Sequence, residues 1–226
     1  MQGINLIFSI AILIISVVAH EVSHGFAAYL LGDSTAKRAG RLNMNPLKHL
    51  DLMGSFVVPL FLVLLGSNFV LGWAKPVPYN PYNLKNQKWG PGVVGFSGPL
   101  ANFLIAGVFG VLAMLMPLDN FTKNSIALSA LNGSADMIAG GYAISLYFFF
   151  SMIVWINLFL GLFNIIPIPP LDGSKVLFSI LPYRMGNIQA FLERYGFVLL
   201  LFFIFLFPQI ILPLAYKFYS LLMGIA

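Results

Sequence analysis

Residues 4–31 read INLIFSIAILIISVVAHEVSHGFAAYLL. The stretch is apolar for longer than the roughly 20 residues a helix needs to cross a bilayer core. Its second half carries His20, Glu21 and His24. A cleaved leader would begin with basic residues and have a shorter apolar run. Here residues 1–36 hold no Lys or Arg, and the run turns polar before it ends. The stretch therefore reads as a retained spanning helix with ionisable groups inside it. Such groups cost about 2.5–3.5 kcal/mol each at membrane depth on insertion scales, so three together point to a functional site.

His20-Glu-Val-Ser-His24 has the form H-E-x-x-H. On a helix, histidines at i and i+4 share one face, about 6 Å apart along the axis, and can grip one zinc ion together. Glu21 then sits beside the metal and can serve as general base toward an activated water. Two histidines leave a catalytic zinc site one protein ligand short. Asp33, Asp51, Asp119, Asp136 and Glu193 all fall in loops or near helix ends. Asp172 differs. It follows Asn164-Ile-Ile-Pro-Ile-Pro-Pro-Leu171 and precedes Gly173, so the chain there is unwound by proline and freed by glycine. Irregular backbone at a membrane boundary is tolerated where it is buried in protein or lines a cavity. Asp172 has two readings, the N-cap of a short helix over 173–181 or the third metal ligand. The incomplete histidine pair favours the second. The donor set suits zinc, although iron or cobalt accepts the same ligands.

Working outward, 94–116, 142–166 and 195–222 are further spanning stretches. A fifth, 52–72, carries Gly54, Pro59 and Gly66. Charged residues make up 8% of the chain, against about 25% in soluble domains; so few charges cannot coat a soluble globule, and much of the surface must face lipid. The expected fold is an all-α polytopic membrane protein of about four to six transmembrane helices, one domain over 1–226, with room for a small extended or β element in 73–93. The chain has no cysteine, which excludes disulfides and thiolate metal sites. No segment gathers the cations into a basic patch with aromatics, so nucleic acid is a poor partner.

Cations set the orientation. Lys37, Arg38, Arg41 and Lys48 lie in 32–51; Lys75, Lys85 and Lys88 in 73–93; Lys175, Arg184 and Arg194 in 167–194. Segment 117–141 has only Lys123. The positive-inside rule places the first three segments in the cytoplasm, and the N-terminus and 117–141 outside. That arrangement is consistent only if 52–72 dips in and returns, for which Pro59 and the flanking glycines are suited; the alternative is a proline-kinked span. His24 would lie roughly 12 Å below the inner surface. Asp172 reaches that same face only if 52–72 does not cross, so charge bias and ligand pairing favour one topology.

The chain resembles the site-2 protease family of intramembrane metalloproteases, and most of all its small prokaryotic members. The matching pieces run nearly end to end: His20-Glu-Val-Ser-His24-Gly25, Asn45-Pro46-Leu47-Lys48-His49-Leu50-Asp51, Gly72-Trp73-Ala74-Lys75-Pro76-Val77-Pro78, Ser97-Gly98-Pro99-Leu100-Ala101-Asn102, and Asn164 through Asp172-Gly173. The first and last are specific; the middle three add weight. The resemblance implies that His20, His24 and Asp172 bind zinc, that Glu21 activates water, and that Asn164 helps hold substrate or the oxyanion. It further implies an integral, multi-pass protein of the prokaryotic plasma membrane, with its active site toward the cytoplasm. Unlike the larger members, the chain shows no PDZ or CBS module and no helix before the H-E-x-x-H helix, which puts regulation through such modules in doubt.

The expected partners are a transmembrane protein substrate and membrane lipid. A hydrated path must reach the zinc, and a substrate helix must unwind locally before its carbonyl can be attacked; 73–93 is a candidate edge for an extended substrate. A metal transporter using the same His pair would favour several intramembrane acids along a path, where this sequence has one compact cluster. An inactive helix-binding homologue would have no need of Glu21. Among the remaining residues, His49 reads as interfacial, Asn102 and Asn157 as helix-to-helix hydrogen bonding, and Gly98 and Gly107 as close helix packing. Phe202 to Phe207 read as lipid-facing, and Trp73, Trp89, Tyr79 and Tyr82 as an aromatic belt.

Overall fold

The computed structural model describes residues 2–51, 53–57, 61, 74–132 and 141–225. Helices α1 (Gln2–Leu30), α2 (Thr35–Arg38), α3 (Gly90–Met114), α4 (Asn120–Leu131), α5 (Tyr142–Asn164), α6 (Asp172–Ile180) and α7 (Gly186–Met223) follow in order. Four are long and apolar enough to cross a membrane, over Ile7–Leu30, Gly90–Met114, Tyr142–Asn164 and Gly186–Ile204. Their outward faces are apolar and uncovered: Ile7 and Ile15 on α1, Leu104 and Val108 on α3, Phe197 and Phe202 on α7. Only a lipid environment makes that surface stable, because water would be ordered against it. The protein is an all-α polytopic membrane protein.

Helix α3 is the centre of the bundle, packed against α1, α5, α6 and α7. Glycine explains the close approach of α6. Along α3, a Cβ at Gly92 would lie 2.5 Å from Ser179 Oγ, and one at Gly95 would lie 2.9 Å from the Asp172 carbonyl oxygen. Gly92, Gly95 and Gly98 recur every third residue, so they line one face of α3, and α6 lies along it. At one end of the bundle, Asp172 at the start of α6 meets His20 and His24 of α1, and Gly196 of α7 packs against Pro169 in the loop after α5. At the other, Tyr147 donates to the Met223 carbonyl and an apolar cluster of Ala106, Ala113, Ile126, Phe148, Leu158 and Tyr219 fills the space.

The flanks of 52–72 meet. The Lys75 N–H donates to the His49 carbonyl over 2.8 Å, and Arg41 Nη2 donates to the carbonyls of Lys75 and Pro76 over 2.8 and 3.3 Å. The chain thus leaves and returns at one end of the bundle; the course between, apart from a single π-type turn at Met53–Val57 and Phe61, lies outside the described residues, as does Trp73.

Several expectations are corrected. Among the described residues of 73–93 there is no β-strand; of the extended or β element only the β form is absent, the segment running without helix or strand from Ala74 to Asn80 and then turning through Pro81–Asn83. Segment 117–141, for which no helix is expected from the apolar runs, contains α4. Asp119 caps it, accepting from the Thr122 N–H at 2.9 Å and the Thr122 hydroxyl at 2.8 Å, and Ile126 and Ala127 are buried beneath it. Among the described residues Gly107 mediates no close packing, since a Cβ there would meet nothing within 4 Å. His49 is 1% exposed, its Nε2 donating to the Asn43 carbonyl, and it does not join the cluster of His20, His24 and Asp172. Phe202 faces outward, but Phe203 packs against the cluster of Ile166, Leu171 and Leu200.

Candidate metal centre

His20 and His24 lie one turn apart on α1 and are 6% and 7% exposed. Asp172 is the first residue of α6 and also 7% exposed. Its delivery depends on the loop before it. A Cβ at Gly173 would collide with the carbonyls of Ile165 and Ile166, so the fold-back permits no side chain at 173. The cap reading of Asp172 fails: Leu171 occupies the N-cap position without a side-chain bond, and the Asp172 carboxylate reaches across the bundle instead. Its Oδ2 lies 2.9 Å from His20 Nε2 and 3.0 Å from His24 Nε2. The two Nε2 atoms are 3.1 Å apart.

Hydrogen bonds on the far side of each ring decide what converges there. His24 Nδ1 lies 2.6 Å from the Val94 carbonyl, which can only accept, so Nδ1 carries the proton. His20 Nδ1 lies 2.6 Å from Asn102 Oδ1, an acceptor too. In the neutral form that binds a metal, each ring then turns an Nε2 lone pair toward the other and toward a carboxylate oxygen. Three acceptors within 3.1 Å repel one another unless a cation lies among them. In a tetrahedral zinc site with bonds of about 2.0–2.2 Å, ligand atoms stand about 3.3–3.6 Å apart; the triangle here is a few tenths of an ångström tighter. His, His and carboxylate is also the donor set of a hydrolytic zinc enzyme with an open fourth position. The residues fit the ion.

The surroundings hold this geometry. Lys175, one turn along α6, donates to Asp172 Oδ1 over 2.8 Å, leaving Oδ2 to face the histidines. Gly98 gives the rings their room: a Cβ there would sit 2.5 Å from His24 Nε2 and 2.6 Å from His20 Cε1. Glu21 lies outside the three-residue cluster. Its Oε2 accepts from the Val77 N–H at 2.9 Å. Pro76 and Pro78 have no N–H, so Val77 carries the one backbone donor in that strap of three, and it is directed at Glu21. Gly25 lets the strap come close, since a Cβ at 25 would meet Val77 Cγ1 at 2.7 Å. Among the described residues, Glu21 Oε1 has no hydrogen-bond partner.

The structure thus brings His20, His24 and Asp172 together, with Glu21 adjoining. Asn164 ends α5, and its amide donates to the Leu160 carbonyl of its own helix over 3.0 Å; it is not drawn into the cluster. Asn102 and Asn157, read as inter-helix glue, do join helices, but Asn102 also orients His20. Lys175 and Val77 carried no individual expectation. Their only signals were the proline spacing around Val77 and the i, i+3 spacing of Lys175 from Asp172.

The model of peptidase family M50 matches residues 8–207. A Bacillus subtilis (strain 168) protein named "Putative zinc metalloprotease YwhC" is 34% identical over 189 residues, covering 84% of this chain and 76% of that protein. "Putative zinc metalloprotease MJ0611" of Methanocaldococcus jannaschii is 30% identical over 171 residues, covering 75% and 72%. A shorter match, 29% over 93 residues, covers 41% of this chain and 34% of "Putative zinc metalloprotease Rip2" of Mycolicibacterium smegmatis. No solved structure matches the chain.

Proposed function

The chain belongs to peptidase family M50, the site-2 protease family, and from that premise we propose that it hydrolyses peptide bonds within or beside transmembrane segments of other membrane proteins. The observation that carries this reading is the convergence of two imidazole lone pairs and a carboxylate oxygen within 3.1 Å, on helices whose outer faces are suited to lipid. His20, His24 and Asp172 would hold zinc. A bound zinc ion supplies Lewis-acid polarisation of a carbonyl and lowers the pKa of a bound water toward neutrality. Everything else falls to the chain.

Glu21 is the general base. The Val77 N–H fixes Oε2, which leaves Oε1 to take a proton from the attacking water and return it to the leaving amine. Lys175 keeps the second oxygen of Asp172 occupied, so that Oδ2 stays on the histidine side. Asn164 lies at the end of α5, eight positions before Asp172, and its amide oxygen is a candidate partner for an unwound substrate backbone. The cation-bearing loops favour a site open to the cytoplasm. Burial of the site among helices supports a substrate that arrives laterally and loosens before cleavage, because a helical carbonyl is already hydrogen-bonded.

The test is zinc content alongside cleavage of a model transmembrane substrate, for the wild type and Glu21→Gln. Stoichiometric zinc in both, with cleavage reduced by about 100-fold or more in Glu21→Gln, is the expected result. Loss of zinc together with activity would make Glu21 a structural residue. Cleavage of soluble peptides at the same rate as membrane-spanning ones would remove the intramembrane part of the proposal.

A further inference from the structure

Asn102 and Asn157 are each fully buried in the middle of apolar helices. An unsatisfied amide there is costly, and every polar atom of this pair has a partner. Asn102 Oδ1 faces His20 Nδ1 at 2.6 Å. Its Nδ2 donates to Asn157 Oδ1 at 2.9 Å and points toward the Ser16 carbonyl at 3.4 Å. Asn157 Nδ2 donates to the Ile153 carbonyl and to Ser16 Oγ, both at 2.9 Å.

The direction of this chain is forced. A backbone carbonyl cannot donate, so Ile153 obliges Asn157 to present its NH2 there and its oxygen to Asn102. Asn102 must then turn its own NH2 toward Asn157 and the Ser16 carbonyl. Its oxygen is left facing His20. An oxygen in that place admits only an Nδ1–H, which leaves the His20 Nε2 lone pair directed at Asp172 Oδ2 and His24 Nε2. Polarity set by two backbone carbonyls, on α1 and α5, is thus handed through two side chains to one ring nitrogen.

We propose that Asn102 and Asn157 are positioning residues, a two-amide relay that locks His20 in the tautomer and ring orientation needed to bind the metal. The inference rests on the reading of His20 as a zinc ligand and extends it. Metal-bound histidines commonly donate their other N–H to a carboxylate, carbonyl or water. A side-chain amide supplies the acceptor without burying a further charge at membrane depth, and the second asparagine is required because a lone amide could flip. The Asn157 side chain bonds to Asn102, Ser16 and Ile153 and to none of the three metal ligands, yet the relay predicts that it matters to metal binding.

The test uses the full-length protein in detergent, with zinc affinity read by chelator competition and the histidine tautomers of the zinc-stripped protein read by 15N NMR. Asn102→Leu, nearly isosteric, should weaken zinc by about 10–100-fold and let His20 populate the Nε2–H tautomer. Asn102→Asp, buried as the neutral acid, keeps an O–H donor toward Asn157 Oδ1 and a carbonyl acceptor toward His20, and should recover most of the affinity, which a packing role would not produce. Asn157→Leu should weaken zinc by a smaller factor, on the order of several-fold, with the same tautomer mixing. If Asn102→Leu fails to fold, Asn157→Leu and Asn102→Asp carry the same readouts. Unchanged affinity and an unmixed tautomer in the leucine variants, with zinc bound normally by the wild type, would overturn the relay alone. A wild type that binds no zinc would overturn the relay together with the metal centre beneath it.

Discussion

The two ends of the helical bundle both bury polar side chains, and they use them in opposite ways. Around α4 and the end of α7, each buried polar group meets its complement. Tyr147 donates to the Met223 carbonyl at 3.0 Å, the hydroxyls of Ser151 and Tyr219 bond to each other, and the Lys123 ammonium donates to the Met114 carbonyl at 3.0 Å, at the negative end of α3. Such pairs fasten helices and ask for nothing more. At the other end, complementary bonds form only on the outer side of each ring. On the inner side three acceptors face one another. Mismatch, rather than polarity, marks the place where a cation belongs, because a fully satisfied network is stable by itself and an acceptor cluster is not.

That contrast breaks first at Asp172. Replacing it with Ala removes the oxygen on which both histidines converge, and zinc binding and proteolysis should both be lost, with affinity falling by at least about 100-fold given a site left with two protein ligands. Stripping zinc from the wild type with a chelator should abolish cleavage to the same extent, and adding zinc back should restore it. A variant without Asp172 that held zinc as tightly as the wild type would mean that the convergence is fortuitous.

The strap over Glu21 comes next. Val77→Pro deletes the N–H that holds Oε2, whereas Val77→Ala keeps it and removes only side-chain packing. A hydrogen bond to a charged group contributes about 1.5–3 kcal/mol, so kcat should fall on the order of ten-fold or more in the proline variant, with zinc content unchanged. Equal losses in the two variants would assign the strap to packing. At the opposite end, Tyr219→Phe should cost about 1 kcal/mol of stability in a denaturation assay, and leave zinc affinity and kcat where they were. A change in zinc affinity there would dissolve the distinction between the two ends.

Much of this organisation was legible in the residues themselves. Four spanning helices follow from runs of apolar residues, and the metal cluster from H-E-x-x-H on α1 together with an aspartate placed after three prolines. Partnership was harder to see. Asn102 and Asn157 are 55 positions apart on different helices, and no local pattern says that two amides will meet or which way each will face. The same holds for Val77: the prolines around it announce an extended strap, but not that its N–H finds a carboxylate 56 residues earlier. Helix α4 was missed for a different reason. It is short and only partly apolar, so the spanning signal overlooks it, although the capping Asp119-x-x-Thr122 was in plain view. Gly107 shows the converse, a small residue in a packed helix where an added Cβ would meet nothing among the described residues.

The smallest effect concerns the loop that carries the strap. Asp33, in the turn after α1, is fully buried. Its carboxylate accepts from the Thr35 N–H and hydroxyl, the Asn80 N–H and the Asn83 amide, tying the end of α1 to the segment just beyond Val77. Burial pushes this carboxyl up, but the hydrogen bonds outweigh burial and hold it below the usual aspartate value. A folded-state pKa below the unfolded one stabilises the fold fully above the unfolded value, about 3.9, and that stability is lost as pH falls through the folded value. Acidification should therefore loosen the tether. Amide exchange at Asn80, corrected for its intrinsic rate, should become faster as pH drops below about 4, while the amides of α5 keep their protection. Asp33→Asn keeps the shape and removes the charge, so it should exchange faster than the wild type at neutral pH and lose the acid-dependent step. If Asn80 exchanged alike in both proteins at every pH, the strap would be held by Arg41 and the His49 carbonyl alone, and the geometry at Glu21 would owe nothing to the turn after α1.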